Sequence, residues 1–154
     1  MANRIYIAYG SNLNIQQMLA RCPDARVIGA SAIEGYGLLF KGSKSGSYLT
    51  IEPQEGASVP VAAWQVTEAD EKALDRYEGF PSFYYKKELT LPIKGIKSGK
   101  ARRRRGFVYI MREDRLPGLP SESYVETCIE GYRAFGFDPD LLRRAIEASK
   151  EALL

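Results

Sequence analysis

The chain has 154 residues, a net charge of +3 from 22 basic and 19 acidic side chains, two cysteines and no histidine. That length suits a single domain with a real core over residues 1–154, and no stretch approaches the roughly 20 apolar residues a membrane span needs. Without imidazole, Ser-His and Cys-His nucleophile pairs and histidine-bearing zinc sites are excluded, so proton transfer falls to carboxylate, tyrosine, lysine or cysteine.

Alternation over Ile5-Tyr6-Ile7-Ala8 predicts a first strand from about Arg4 to Tyr9. The string Tyr9-Gly10-Ser11-Asn12-Leu13 follows and leads into helical spacing at Ile15, Met18 and Leu19, which Pro23 stops. It reads as a strand-to-helix turn. Gly10 permits close approach of a ligand to backbone, Ser11 and Asn12 favour turns and caps, and the first N–H groups of a helix are free to hold an anion. The plainer alternative is an ordinary loop and cap. Cys22, just beyond, and Cys128 are expected to be reduced and buried in a cytoplasmic protein with no signal-peptide layout.

Four short strands come next, Ala25 to Ala32, Tyr36 to Phe40, Tyr48 to Glu52 and Val59 to Val66, divided by Gly35, Gly42, Gly46, Pro53 and Gly56. Thr67 with Asp70 and Glu71 then predicts a capped helix running to about Tyr77. It ends in Leu74-Asp75-Arg76-Tyr77-Glu78-Gly79. A carboxylate there meets the negative end of the helix dipole, and Tyr77, Phe80 and Phe83 would strip its hydration, both of which raise its pKa. Glu78 is therefore the candidate base, against the plainer alternative of a helix-end carboxylate pointing into water.

Two further strands, Tyr84 to Leu91 and Arg103 to Met111, bracket a tip with seven cations (Lys94, Lys97, Lys100 and Arg102 through Arg105) and no acid within residues 94 to 105. The segment reads as an exposed hairpin tip whose strand register the sequence leaves open. Ser121 caps a helix with Tyr124, Val125, Cys128, Ile129 and Tyr132 on one face, and Asp138-Pro139 opens the last helix. The expected class is α+β: a bent, mostly antiparallel sheet or small barrel with flanking helices.

Taken together, Tyr9-Gly10-Ser11-Asn12-Leu13, Tyr77-Glu78-Gly79 with Tyr85 beyond it, and Pro120-Ser121-Glu122-Ser123-Tyr124 resemble the gamma-glutamylcyclotransferase family over nearly the whole chain. The resemblance implies a small mixed or antiparallel β-barrel with peripheral helices. It assigns Tyr6, Ile7, Ala8, Tyr9, Gly10, Ser11, Asn12 and Leu13 to the first strand and substrate-binding turn, Glu78 to general base and acid, and Tyr85 and Tyr124 to the pocket. It also implies the reaction: the α-amine of a γ-glutamyl group attacks its own γ-carbonyl, releasing 5-oxoproline and a free amine in a transferase- or lyase-type cyclisation. The partner is a small γ-glutamyl amine or peptide, with no metal and no organic cofactor.

The match loosens at Gly131-Tyr132-Arg133-Ala134-Phe135-Gly136, where Tyr132 stands in place of a small residue, so packing behind that helix is expected to differ or the pocket to be reshaped. The basic tip has no counterpart in the family pattern, and the Ser43 to Ser47 loop is generic. The leaving amine, the oligomeric state and the oxyanion donors (backbone N–H groups of the Gly10 turn or a tyrosine hydroxyl) stay open. Two other classes remain beside the enzyme. One is a non-catalytic protein binding a γ-glutamyl or carboxylate ligand. The other is a nucleic-acid module using residues 94 to 105 on phosphates with Phe107 and Tyr109 stacking on bases, which lacks an evident reading surface.

Overall fold

The computed structural model describes residues 3–43 and 46–154. Among the described residues six strands, β1 (Arg4–Ala8), β2 (Arg26–Ser43), β3 (Gly46–Val66), β4 (Tyr84–Gly95), β5 (Ala101–Met111) and β6 (Leu116–Pro117), form one sheet. Neighbours run β3-β1-β5-β4-β2-β6, and β2 also pairs with β3, which closes the first five into a barrel. The β1–β5 contact at Tyr6 and Phe107 is parallel and the other pairings are antiparallel, so the barrel is mixed. Four helices flank it: α1 (Ile15–Arg21), α2 (Glu68–Glu78), α3 (Glu122–Ala134) and α4 (Asp140–Ala152). This is the α+β barrel expected from the sequence.

The four short strands expected between Ala25 and Val66 are instead two long ones paired along their length, Arg26 with Gln65 through to Ser43 with Gly46. Glycine here bends a strand without ending it. Gly35 and Gly56 take φ of 79° and 80°, and the β2–β3 register shifts between Glu34 and Tyr36, as a bulge requires. Lys44 and Ser45 of the generic loop lie outside the described residues.

The basic segment also differs from a simple tip. Arg102, Arg103, Arg104 and Arg105 belong to β5 and pair with Ile93, Pro92, Leu91 and Thr90 of β4, so the connection is only the short turn after Gly95. Backbone pairing is satisfied while the guanidinium groups stay in water, and all seven cations are exposed. Phe107 and Tyr109, at 0% and 2% exposure, are core residues, so the base-stacking expectation fails.

Helix ends follow side-chain capping. Asn14 accepts from the Gln17 N–H at 3.1 Å, Thr67 and Asp70 form a reciprocal capping box, and Ser121 accepts from the Tyr124 N–H at 3.2 Å. Asp138 accepts from the Asp140 N–H at 3.0 Å, so the last helix starts just after Pro139. The turn Ser11–Leu13 is a single 3-10 turn ahead of α1. Its closest neighbour is α3: a Cβ on Gly131 would stand 2.5 Å from the Asn14 nitrogen, so only glycine lets the helix press against the turn. Cys22 and Cys128 are free and buried. Among the described residues no helix is long and apolar enough to cross a membrane.

Candidate active site

A cavity of about 200 Å³ opens beside the turn. Glu78, the last residue of α2, lines it together with Gly10, Ser11 and Asn12. Gly79 takes the left-handed conformation (φ 63°) that ends α2 directly after the carboxylate, so sequence and helix chemistry fix where the acid stands. Among the described residues no side chain pairs with or hydrogen-bonds to the Glu78 carboxylate. Burial pushes its pKa from 4.5 up to about 8, against a smaller opposing pull from the Arg21 guanidinium. The direction is the one expected, and burial is the leading cause.

The aromatic surroundings are partly as expected. Tyr77 and Phe83 line the cavity, whereas Phe80 lies outside the wall and packs edge-on against Tyr109 at 6.5 Å. Tyr6, Tyr9 and Tyr124 line it too, with their hydroxyls committed. The Tyr9 hydroxyl donates to the Tyr109 carbonyl at 2.7 Å, and the Tyr124 hydroxyl accepts from the Leu49 N–H at 3.2 Å. The Tyr124 hydroxyl also stands 3.5 Å from where a Cβ on Gly10 would lie, which ties α3 to the turn. Burial holds all three phenols well above their ordinary range, so they are neutral hydrogen-bonding groups at any working pH.

Four expected site residues stand elsewhere. Tyr85 is not in the wall: successive strand side chains alternate, so Tyr84 (5% exposed) faces in and Tyr85 faces out, hydrogen-bonded to Glu113 with Arg112 over its ring. Ile7 fills the barrel against Gly106, on the opposite face from Tyr6. Ala8 is buried without reaching the cavity, and Leu13 packs under Gly131 of α3.

The structure adds residues that the sequence did not single out. Arg21 lies 3.4 Å above the Tyr77 ring centre and donates to Asn12, whose amide donates to the Tyr6 hydroxyl at 2.9 Å. The Tyr77 and Ser11 hydroxyls are 3.0 Å apart. Arg21 thereby braces both the turn and the residue before Glu78. Tyr84 donates to the Leu49 carbonyl at 2.7 Å, and Tyr109 donates to Asp75 at 2.6 Å, closing the wall from the barrel side. The departure at Tyr132 has a plain outcome: the side chain is fully buried and its hydroxyl donates to the Tyr9 carbonyl at 3.1 Å, behind the wall.

Within the turn, Leu13 and Asn14 N–H groups bond the Gly10 and Ser11 carbonyls at 3.0 Å each. The Ser11 and Asn12 N–H groups have no protein acceptor among the described residues. The site thus offers free backbone donors on one element and a protonatable carboxylate on another.

A family model described as gamma-glutamyl cyclotransferase, AIG2-like, matches residues 6–126. Solved structures share the fold. One titled gamma-glutamyl cyclotransferase is 20% identical with a TM-score of 0.76, covering 97% of this chain and 86% of that one. An uncharacterized Homo sapiens protein is 22% identical with a TM-score of 0.77, covering 99% and 87%. An AIG2-like protein from Mus musculus is 20% identical with a TM-score of 0.58, covering 81% and 84%. No curated protein sequence matches significantly. With most of its length matched by that model and its barrel shared with those structures, the chain belongs to the gamma-glutamyl cyclotransferase, AIG2-like family.

Proposed function

We propose that this protein cyclises the γ-glutamyl group of a small amine or peptide to 5-oxoproline, with Glu78 as the proton carrier. One observation carries the reading: an unpaired, half-buried carboxylate with a raised pKa lines the same small cavity as a turn with free N–H groups. The glutamyl α-carboxylate sits on the Ser11 and Asn12 N–H groups, as an anion does at such a turn. Its α-ammonium then faces Glu78.

In its ionised form, which the ammonium beside it favours, Glu78 takes one proton from that ammonium, and the neutral nitrogen attacks the γ-carbonyl carbon of the same molecule. A C–N bond closes the five-membered lactam. The bond from the γ-carbon to the departing nitrogen breaks as Glu78 returns its proton to that nitrogen, and the second proton lost by the ring nitrogen as the lactam forms passes to the released amine, which departs as an ammonium. A carboxyl titrating near neutrality is suited to both transfers. Nucleophile and electrophile share one chain, so the site's task is to fold the substrate into attack geometry and exclude other conformers.

The enzyme reading is favoured over a binding-only role by the acid's proton affinity: a binder of the ammonium needs only an ionised carboxylate, whereas a carboxyl that titrates at about 8 is suited to exchanging a proton. Replacement Glu78→Gln keeps shape and removes the proton carrier. The expected result is loss of 5-oxoproline release by about 10²-fold or more with binding of a γ-glutamyl ligand retained. Undiminished release in that variant would falsify the role of Glu78.

A further inference from the structure

Residues 94 to 105 have no part in the cavity, and they carry seven cations with no acid among them. Lys94, Lys97, Lys100 and Arg102 through Arg105 are all exposed, and among the described residues only Arg105 reaches a carboxylate, that of Glu88 at 3.6 Å. The rest of the chain is net negative. Charge separated in this way makes a field that turns the basic end toward an anionic partner.

Within this cluster stands an aliphatic side chain, Ile96, 61% exposed between Gly95 and Lys97. The turn that presents it is tied down on both sides. The Ile96 N–H donates to the Ile28 carbonyl of β2 at 3.2 Å, the Gly95 N–H to the Lys100 carbonyl at 3.0 Å, and the Gly99 N–H to the Gly95 carbonyl at 2.9 Å. Backbone bonding is thus satisfied while the apolar side chain is held out in water.

Two simpler purposes fail to account for this arrangement. Charge alone keeps a strand edge from pairing with another chain, and an exposed isoleucine works against that purpose. Nucleic acid is no better a fit. Residues 90 to 105 contain no aromatic side chain on which a base could stack. Strand alternation puts Arg102 and Arg104 on one face and Arg103 and Arg105 on the other, so phosphates laid along either face meet half of them. A surface met end-on by the ribbon meets both sets, with Ile96 at the turn that joins the strands.

We infer that the turn end of the β4–β5 ribbon docks on an anionic lipid surface, its cations among the charged headgroups and Ile96 at the boundary with the acyl chains. Polybasic attraction and one buried aliphatic are two weak signals that together give reversible binding. Tyr84, which lines the cavity, is ten residues along β4 from Lys94, roughly 30 Å at the rise of a strand, so docking leaves the cavity clear of lipid. The inference goes beyond the cyclotransferase reading and does not depend on it.

The test is sedimentation of the whole protein with vesicles of phosphatidylcholine alone, or containing about 30% phosphatidylserine, at about 0.1 M salt. Binding is expected only with phosphatidylserine present, and it falls as salt rises. Changing Arg102, Arg103, Arg104 and Arg105 together to glutamine is expected to lower the partition coefficient by about 10²-fold or more, at about fivefold per cation. Ile96→Ser changes no charge and is expected to lower it by about threefold or more. Ile96→Trp gives a spectroscopic readout: its added emission shifts to the blue with phosphatidylserine vesicles, against the constant background of buried Trp64.

No binding to phosphatidylserine vesicles, binding that the four arginine substitutions leave intact, or Ile96→Ser binding as wild type does, each overturns the inference. Displacement from the vesicles by single-stranded polyuridylate of equal total charge assigns this end to nucleic acid instead and overturns it as well. Should the four-arginine variant not fold, Lys94, Lys97 and Lys100 changed together to glutamine take its place. No substrate is present in these measurements, so their outcome is independent of whether the protein releases 5-oxoproline.

Discussion

At one end of the β4–β5 ribbon Tyr84 pairs with Met111, and the cavity that Tyr84 lines holds, among the described residues, a single carboxylate at the end of the neighbouring α2. At the other end Lys94 pairs with Ala101, and seven cations stand in water within residues 94 to 105. The crowded end carries more charge and less chemistry. Exposed cations are solvated and screened, and Arg105 reaches Glu88 only at 3.6 Å with both side chains more than half exposed, an arrangement of little energetic value. One acid moved out of water changes its proton affinity by orders of magnitude. Burial decides which charges act.

That contrast is sharpened first by Glu78→Gln, the largest expected effect, since it removes the only wall acid among the described residues while preserving the wall. Next comes Gly131→Ala. Its Cβ would collide with backbone at 2.5 Å, so α3 and the turn must separate; a loss of about 1–3 kcal/mol in denaturant unfolding is expected, together with a fall in turnover.

The stability of Glu78→Gln against pH follows from the carboxyl. The folded protein keeps its proton up to about pH 8, whereas the unfolded chain releases it near 4.5. Between those values the folded state binds the extra proton, so this group's contribution to stability is present below 4.5 and is lost as pH rises through 8. Glu78→Gln escapes that loss and is expected to melt a few degrees higher than wild type at pH 9, with the gap closing near pH 5, as thermal melts at both pH values would register.

Tyr132→Phe removes the donor behind the wall and leaves the Tyr9 carbonyl without that bond, at an expected cost of about 1 kcal/mol in chemical unfolding. Smallest of all is neutralisation of Arg102 through Arg105 to glutamine. Stability is expected to change by less than about 0.5 kcal/mol and kcat/KM on a small γ-glutamyl substrate hardly at all. A large kinetic loss there would break the comparison between the two ends.

Much of this molecule was legible in the chain because local chemistry sets it. Alternation marked β1. Thr67 and Ser121 lie at the helix starts where their side chains cap, and Glu78-Gly79 carried both the acid and the stop that aims it, whereas α1 is capped by Asn14 and not by the Ser11 and Asn12 that the sequence suggested. What the sequence concealed depends on pairing between distant segments. The choice of Tyr84 over Tyr85 is one residue of register, invisible until β4 lies on β5. Gly35 and Gly56 read as strand ends because a bulge and a turn share the same left-handed requirement. Arg21 looked like a helix-end cation, and only the return of α2 puts Tyr77 beneath it.

The central claim is that Glu78 stands in the cavity with its proton held to about pH 8. Carbon-13 NMR titration of the side-chain carboxyls, with the Glu78 signal identified by its absence in Glu78→Gln, measures this directly. A midpoint near pH 8 is the expected result. A midpoint in the ordinary carboxylate range, near 4.5, would mean that the acid sits in water and contradict the account.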